Sequence, residues 1–189
     1  IDPDHPDLAA NIDVPDSVNC TDAGRPDRSA TGWFPTTSDH GTHVAGTIAA
    51  INNSGTGVVG VNPNKTLKLH IVKVFSATGW AYSSTLASAA NKCVAAGSNV
   101  ISMSLGGGRK SVTEQKAFDN AQAAGVLSIA AAGNDGNSVV SYPAGYASVL
   151  MVGAVDENKN WATFSQYNTK VELAGPGVQV LSTVPMGSG

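Results

Sequence analysis

Three short strings in this sequence hold the side chains best suited to chemistry. The first is His40-Gly41-Thr42-His43-Val44-Ala45-Gly46-Thr47. An imidazole exchanges protons near neutral pH, and in the first turn of a helix its ring can project into a cleft from a fixed backbone. The same position is also a common place for an exposed or capping histidine, so the spacing leaves both readings open. The second string is Ala130-Ala131-Ala132-Gly133-Asn134-Asp135-Gly136. An asparagine in such a turn commonly serves the turn itself, because it tolerates a left-handed backbone and bonds locally. Its amide could instead donate to an oxygen that becomes negative during a reaction. The third is Ser102-Met103-Ser104-Leu105-Gly106-Gly107. It reads as a plain strand end, or as an edge along which an extended peptide could pair.

Other chemistries find little support. Gly106-Gly107-Gly108-Arg109-Lys110-Ser111 lacks the spaced glycine and the Gly-Lys pair of a phosphate loop, which disfavours a small-molecule-binding α/β domain of that kind. There is no CxxC or HExxH spacing, so a zinc site is not expected. Cys20 and Cys93 cannot build a disulfide framework. One bridge between them and two thiols are both open. Eight of the 14 acidic residues lie in residues 1–39 (Asp2, Asp4, Asp7, Asp13, Asp16, Asp22, Asp27 and Asp39), against Arg25 and Arg28. Such a segment reads as a solvated loop, or in part as oxygen ligands for a hard cation.

Composition narrows the class further. At 189 residues the chain can bury a sizeable core. Charged residues are 13% and hydrophobic ones 42%, which excludes intrinsic disorder and a coiled coil. The net charge of −3 offers no basic field for nucleic acid or anionic lipid. No apolar run reaches the roughly 18–20 residues of a membrane span.

The elements that must position these strings alternate. Ser38 or Asp39 can cap a helix that runs to about residue 50. Residues 67–75 alternate apolar and polar and read as a strand. A helix over residues 83–96 presents Leu86, Ala89, Ala90, Cys93 and Val94 on one face and stops at Gly97. Residues 100–105 form a short strand. Ser111-Val112-Thr113-Glu114 is a capping box that opens a helix to Gly125. Residues 126–132 and 149–155 are further strands. This order predicts an α/β domain with a mainly parallel sheet and helices on both faces. Ligand sites in such sheets lie at the carboxyl ends of strands, which directs attention to the loops after Phe75, Leu105 and Ala132.

Together the three strings resemble the subtilisin-like serine proteases, or subtilases. The resemblance implies that His40 is the catalytic base and Asn134 the oxyanion donor, with His43 a structural neighbour. Loss of such a donor costs roughly 10²–10³ in turnover, a magnitude that comes from subtilisin itself. Ser104, Leu105 and Gly106, with Ala131, Ala132 and Gly133, become walls of the substrate cleft. The first pocket is then apolar and uncharged, with a broad preference for apolar or aromatic side chains. Weaker likenesses run along most of the chain. His5-Pro6-Asp7-Leu8 resembles the segment after the family's catalytic Asp, and residues 51–60 resemble its calcium loop with one extra residue. This implies Ca²⁺ held by Asp7, Asn53 and carbonyls of Ile51, Thr56 and Val58. Ser141-Tyr142-Pro143 resembles the segment that closes the first pocket, and Ala174-Gly175-Pro176-Gly177-Val178 the strand that leads to the serine.

Two expected strings are missing. The family's Asp-Thr/Ser-Gly would just precede Ile1, and its Gly-Thr-Ser-Met-Ala would follow Gly189. Asp39, Asp7 and Ser188 are not credible substitutes for the triad members. The expectation is a partial peptidase domain over residues 1–189, truncated at both ends and inactive alone. The parent protein is expected to be a secreted, monomeric endopeptidase that acts on protein or peptide substrates through an acyl-enzyme, made with a pro-segment. The competing expectation is a non-catalytic peptide-binding relative. Glycosylation triplets occur at Asn19, Asn52 and Asn64, a pattern short enough to arise often by chance.

Overall fold

The helices form where the sequence supplies caps and small-residue faces. In the computed structural model, which describes residues 1–21, 32–34, 38–53, 55–76 and 79–188, the first helix, α1, is His40–Ala49. Ser38 serves its start: the Ser38 hydroxyl accepts the His40 N–H at 3.2 Å, while the Asp39 side chain makes no cap bond. Helix α2 is Ser83–Ala95 and buries Ala89, Ala90 and Cys93 of the expected face. It closes on Gly97 at φ +76°, with Gly97 N–H on the Val94 carbonyl and Ser98 N–H on the Cys93 carbonyl. Those paired bonds satisfy carbonyls that a helix end would leave open. Helix α3 is Val112–Ala123, and the Ser111 hydroxyl accepts the Glu114 N–H at 3.4 Å.

The expected capping box is only half made. The Glu114 side chain does not return to the Ser111 N–H. Instead the Tyr146 hydroxyl accepts that N–H at 3.0 Å and itself reaches the Glu114 carboxylate at 2.8 Å. A long-range tyrosine thus replaces the local arm.

The chain forms two compact units, residues Ile1–Ala81 with Leu181–Gly189, and residues Tyr82–Val180. In the second unit, β3 (Val100–Met103), β4 (Leu127–Ala131), β5 (Val149–Val155) and β6 (Val171–Pro176) lie in that order, all parallel. This is the mainly parallel α/β architecture that the alternation predicts. Helices α2 and α3 pack together, and α3 also packs on β4. Ile101, Met103, Ser128, Ala130, Val149 and Met151 share one face of the sheet and are buried. The opposite face carries Val100, Leu127 and Leu173, which are 52%, 48% and 58% exposed.

The first unit corrects the sequence reading of residues 67–75. Only Val72–Lys73 (β2) pairs as a strand, with Val18–Asn19 (β1), and Leu69 bridges Ile12 separately. The turn at residues 14–16 interrupts the partner, and the Ser17 hydroxyl accepts the Ile71 N–H where a ladder carbonyl would otherwise serve. Leu8, Val18, Cys20, Trp33, Ala49 and Ala50 are buried in this unit. The chain returns along α1 at its end: Thr183 Oγ1 donates to the Thr42 carbonyl and Ser182 Oγ to the His43 carbonyl, each at 2.7 Å. Gly46 permits this approach, since a Cβ there would overlap both hydroxyls. Cys20 and Cys93 are both buried and are not joined by a disulfide. The expectations that involve Asp22, Arg25, Asp27, Arg28, Ser54 and Gly189 lie outside the described residues.

Candidate active site

In the first unit, His40 is the first residue of α1 and is exposed. Its ring has no hydrogen-bond partner among the described residues. His43, one turn on, is half-buried, and its carbonyl receives the Ser182 hydroxyl. His40 therefore stands on a helix anchored from behind and presents an imidazole able to accept a proton.

The same unit brings together the five residues expected around a cation. Asp7 is 2% exposed. One carboxylate oxygen accepts from the Asn53 amide at 2.6 Å, and the other from the Val58 N–H at 3.0 Å. The Ile51 N–H donates to the Asp7 carbonyl, and Thr56 Oγ1 to the Asn53 carbonyl. Gly57 takes φ +72° where a Cβ would overlap the Asp7 carboxylate, so the loop closes tightly over the charge. No cationic side chain pairs with Asp7 among the described residues. A buried carboxylate without a counter-charge is costly. Here the Asn53 amide nitrogen and the Val58 N–H, rather than oxygen ligands, face the two carboxylate oxygens; a hard cation would need the Asn53 amide turned to present its oxygen.

In the second unit, the residues expected to wall a cleft leave the carboxyl ends of neighbouring strands. Ser104, Leu105 and Gly106 follow β3; Ala131 ends β4, and Ala132 and Gly133 follow it. A third segment joins them. Gly107 and Tyr142 exchange N–H···O bonds at 2.8 Å, and the Ser141 hydroxyl donates to the Ala132 carbonyl at 2.6 Å. Residues 104–107, 131–133 and 141–142 thus form one hydrogen-bonded rim. Asn134 stands on it, exposed, and its side-chain amide has no partner among the described residues. An unspent amide donor at a strand's carboxyl end can stabilise negative charge on a carbonyl oxygen. His40 belongs to the other unit.

The sequence profile of the Subtilase family matches residues 1–188. The chain belongs to the subtilase family. Similar subtilases include subtilisin DY of Bacillus licheniformis, 47% identical over 150 residues, 77% of this chain and 54% of that protein. The alkaline protease of Alkalihalobacillus alcalophilus is 47% identical over 154 residues, 80% of this chain and 40% of its own. Among solved structures, the psychrophilic subtilisin-like protease Apa1 from the Antarctic psychrotroph Pseudoalteromonas sp. AS-11 matches with a TM-score of 0.84 at 48% identity. That match covers 98% of this chain and 41% of Apa1. The subtilase chain here therefore spans about half the length of such relatives, or less.

Two features of this subtilase were not visible as motifs. Tyr146 and Glu114 tie the rim segment to the start of α3, and Gln166 lies under the Asn134 loop. Neither Tyr146 nor Gln166 carries a local spacing signal, because their side chains act through partners 27 or more positions away.

Proposed function

We propose that this chain carries the general base and the oxyanion donor of a serine endopeptidase, with His40 and Asn134 in those roles. The observation that carries the proposal is the unpartnered Asn134 amide beside the hydrogen-bonded rim at the strand ends. An extended peptide lies along residues 104–106 and 131–133, held by main-chain bonds. A serine hydroxyl from outside this chain attacks the scissile carbonyl while His40 takes its proton. The Asn134 amide stabilises the oxygen as it becomes negative. His40 then protonates the leaving amine, and water releases the acyl-enzyme by the reverse sequence. The rim offers apolar and small residues, which favours apolar or aromatic side chains in the first pocket. Residues 1–189 alone are inactive in this reading, since the serine and the aspartate are supplied from elsewhere.

Asp7, Asn53, Ile51, Thr56 and Val58 would hold a structural Ca²⁺ that fixes the loop over residues 51–58; it takes no part in the chemistry. The full protein acts as a secreted monomer made with a pro-segment. No helix among the described residues is long and apolar enough to cross a membrane.

The test uses the full-length protein that carries this segment and a chromogenic peptide anilide. His40→Ala should lower turnover by about 10⁶, a subtilisin magnitude. Asn134→Ala should lower kcat by roughly 10²–10³ with KM little changed. One other reading is a peptide-binding relative without catalysis, which would use the same rim as an edge for an extended peptide. A serine-directed phosphonylating reagent that fails to label the full-length protein, while peptides still bind, would decide for it.

A further inference from the structure

Gln166 is a polar side chain shut away from water. It is 2% exposed, at a position where a buried amide must have its hydrogen bonds met. Both ends of that amide serve one loop. Nε2 donates to the Val139 carbonyl at 2.6 Å, and Oε1 accepts the Asp135 N–H at 3.5 Å. The main chain of Gln166 joins in, with its N–H on the Gly133 carbonyl at 3.1 Å. Its neighbours extend the bracket. Gly136 N–H donates to the Phe164 carbonyl at 2.7 Å, and Tyr167 N–H to the Asn137 carbonyl at 3.0 Å. Gly133, at φ +116°, lies so close to Gln166 Oε1 that a Cβ would overlap it. Asn134 sits between the two residues, Gly133 and Asp135, that Gln166 grips.

We infer that Gln166 is a positioning residue that sets the direction of the Asn134 amide by fixing the backbone on either side of it. An exposed side chain with no partner of its own takes its aim from its backbone. A donor to a developing charge must already point at it, since reorienting during the reaction forfeits the stabilisation. An apolar residue of equal volume would fill the same space, but it could hold neither the Asp135 N–H nor the Val139 carbonyl. The inference deepens the peptidase reading and rests on it.

The experiment is a double-mutant cycle in the full-length protein, with rates normalised by phosphonate titration of the active fraction. Gln166→Met should lower kcat about 10- to 100-fold and leave KM within about twofold. In an Asn134→Ala background the same substitution should cost less than about twofold, because the group it aims is gone. A merely structural role would lower activity by the same factor in both backgrounds, and that outcome, or an unchanged kcat in Gln166→Met, overturns the inference. If Gln166→Met does not fold, Gln166→Asn, whose amide falls one methylene short, runs the same cycle with the same expectation. A wild-type protein without peptidase activity, or an Asn134→Ala variant at full activity, would sink the peptidase reading itself and this inference with it.

Discussion

The Tyr146 hydroxyl donates to the Glu114 carboxylate at 2.8 Å, and both side chains are buried. Burial pushes the Glu114 carboxyl above the ordinary carboxylate range, and the hydrogen bond from Tyr146 opposes this only in part. The folded state therefore holds this proton more tightly than the unfolded chain. Glu114 contributes most to stability below the unfolded carboxylate pKa and loses that contribution as pH rises through its raised value. Glu114→Gln removes the titration. Its stability relative to wild type should improve as pH rises from about 4 to 7, read by urea denaturation at each pH. A difference independent of pH would sink the prediction. Glu114→Ala should cost about 1–3 kcal/mol at acidic pH, since it leaves buried polar groups of the α3 cap poorly met, and less as pH rises through the Glu114 titration.

The cradle around Asp7 predicts a metal dependence. A chelator should lower the unfolding midpoint of the full-length wild-type protein by roughly 5–10 °C, the shift expected for losing a ligand held at about 100 times its Kd. Asp7→Asn should abolish most of that difference, whatever its own midpoint. A chelator effect of equal size in both proteins would place the responsible ion elsewhere.

Gly46 is the position where α1 admits the returning residues 182–183. Gly46→Ala should cost about 1–3 kcal/mol by overpacking against Ser182 and Thr183, although alanine is the better helix former. Denaturant unfolding would measure this. A stabilised variant would mean that the return segment yields freely.

The face of the β3–β6 sheet that bears Val100, Leu127 and Leu173 predicts how residues 1–189 behave as an isolated polypeptide. Val100 and Leu127 lie directly opposite each other and Leu173 lies farther along the same face, and apolar side chains exposed by about half make a surface that seeks cover. The polypeptide should bind a hydrophobic fluorescent dye. Leu127→Lys with Leu173→Lys should remove most of the signal while the far-ultraviolet circular dichroism stays the same. Weak dye binding by the unsubstituted polypeptide would count against this.

Much of the architecture was legible because it depends on local order. Gly97 ends α2, Ser111 opens α3, and β5 has the limits expected from its apolar run over residues 149–155. The family was legible too, since the strings around His40, Ser104 and Asn134 are contiguous. Residues 67–75 misled because alternation shows that a strand can form but not how long its partner is. A turn at residues 14–16 cut the pairing to two residues. The capping box misled for a related reason: Ser-x-x-Glu spacing permits the reciprocal bond, but a tyrosine 32 positions away competed for both groups.

The sequence by itself determined the family, because the strings around His40, Ser104 and Asn134 are contiguous and can be read without any tertiary contact. It also indicated Asp7 as the charge to which the loop over residues 51–58 would answer. Only the tertiary structure decided what holds those groups in place. Gln166 beneath Asn134, Ser182 and Thr183 behind α1, and Tyr146 across the start of α3 all act over long chain separations. Such contacts leave no periodicity or motif, since a hydrogen bond constrains two atoms in space and not the spacing of their residues along the chain.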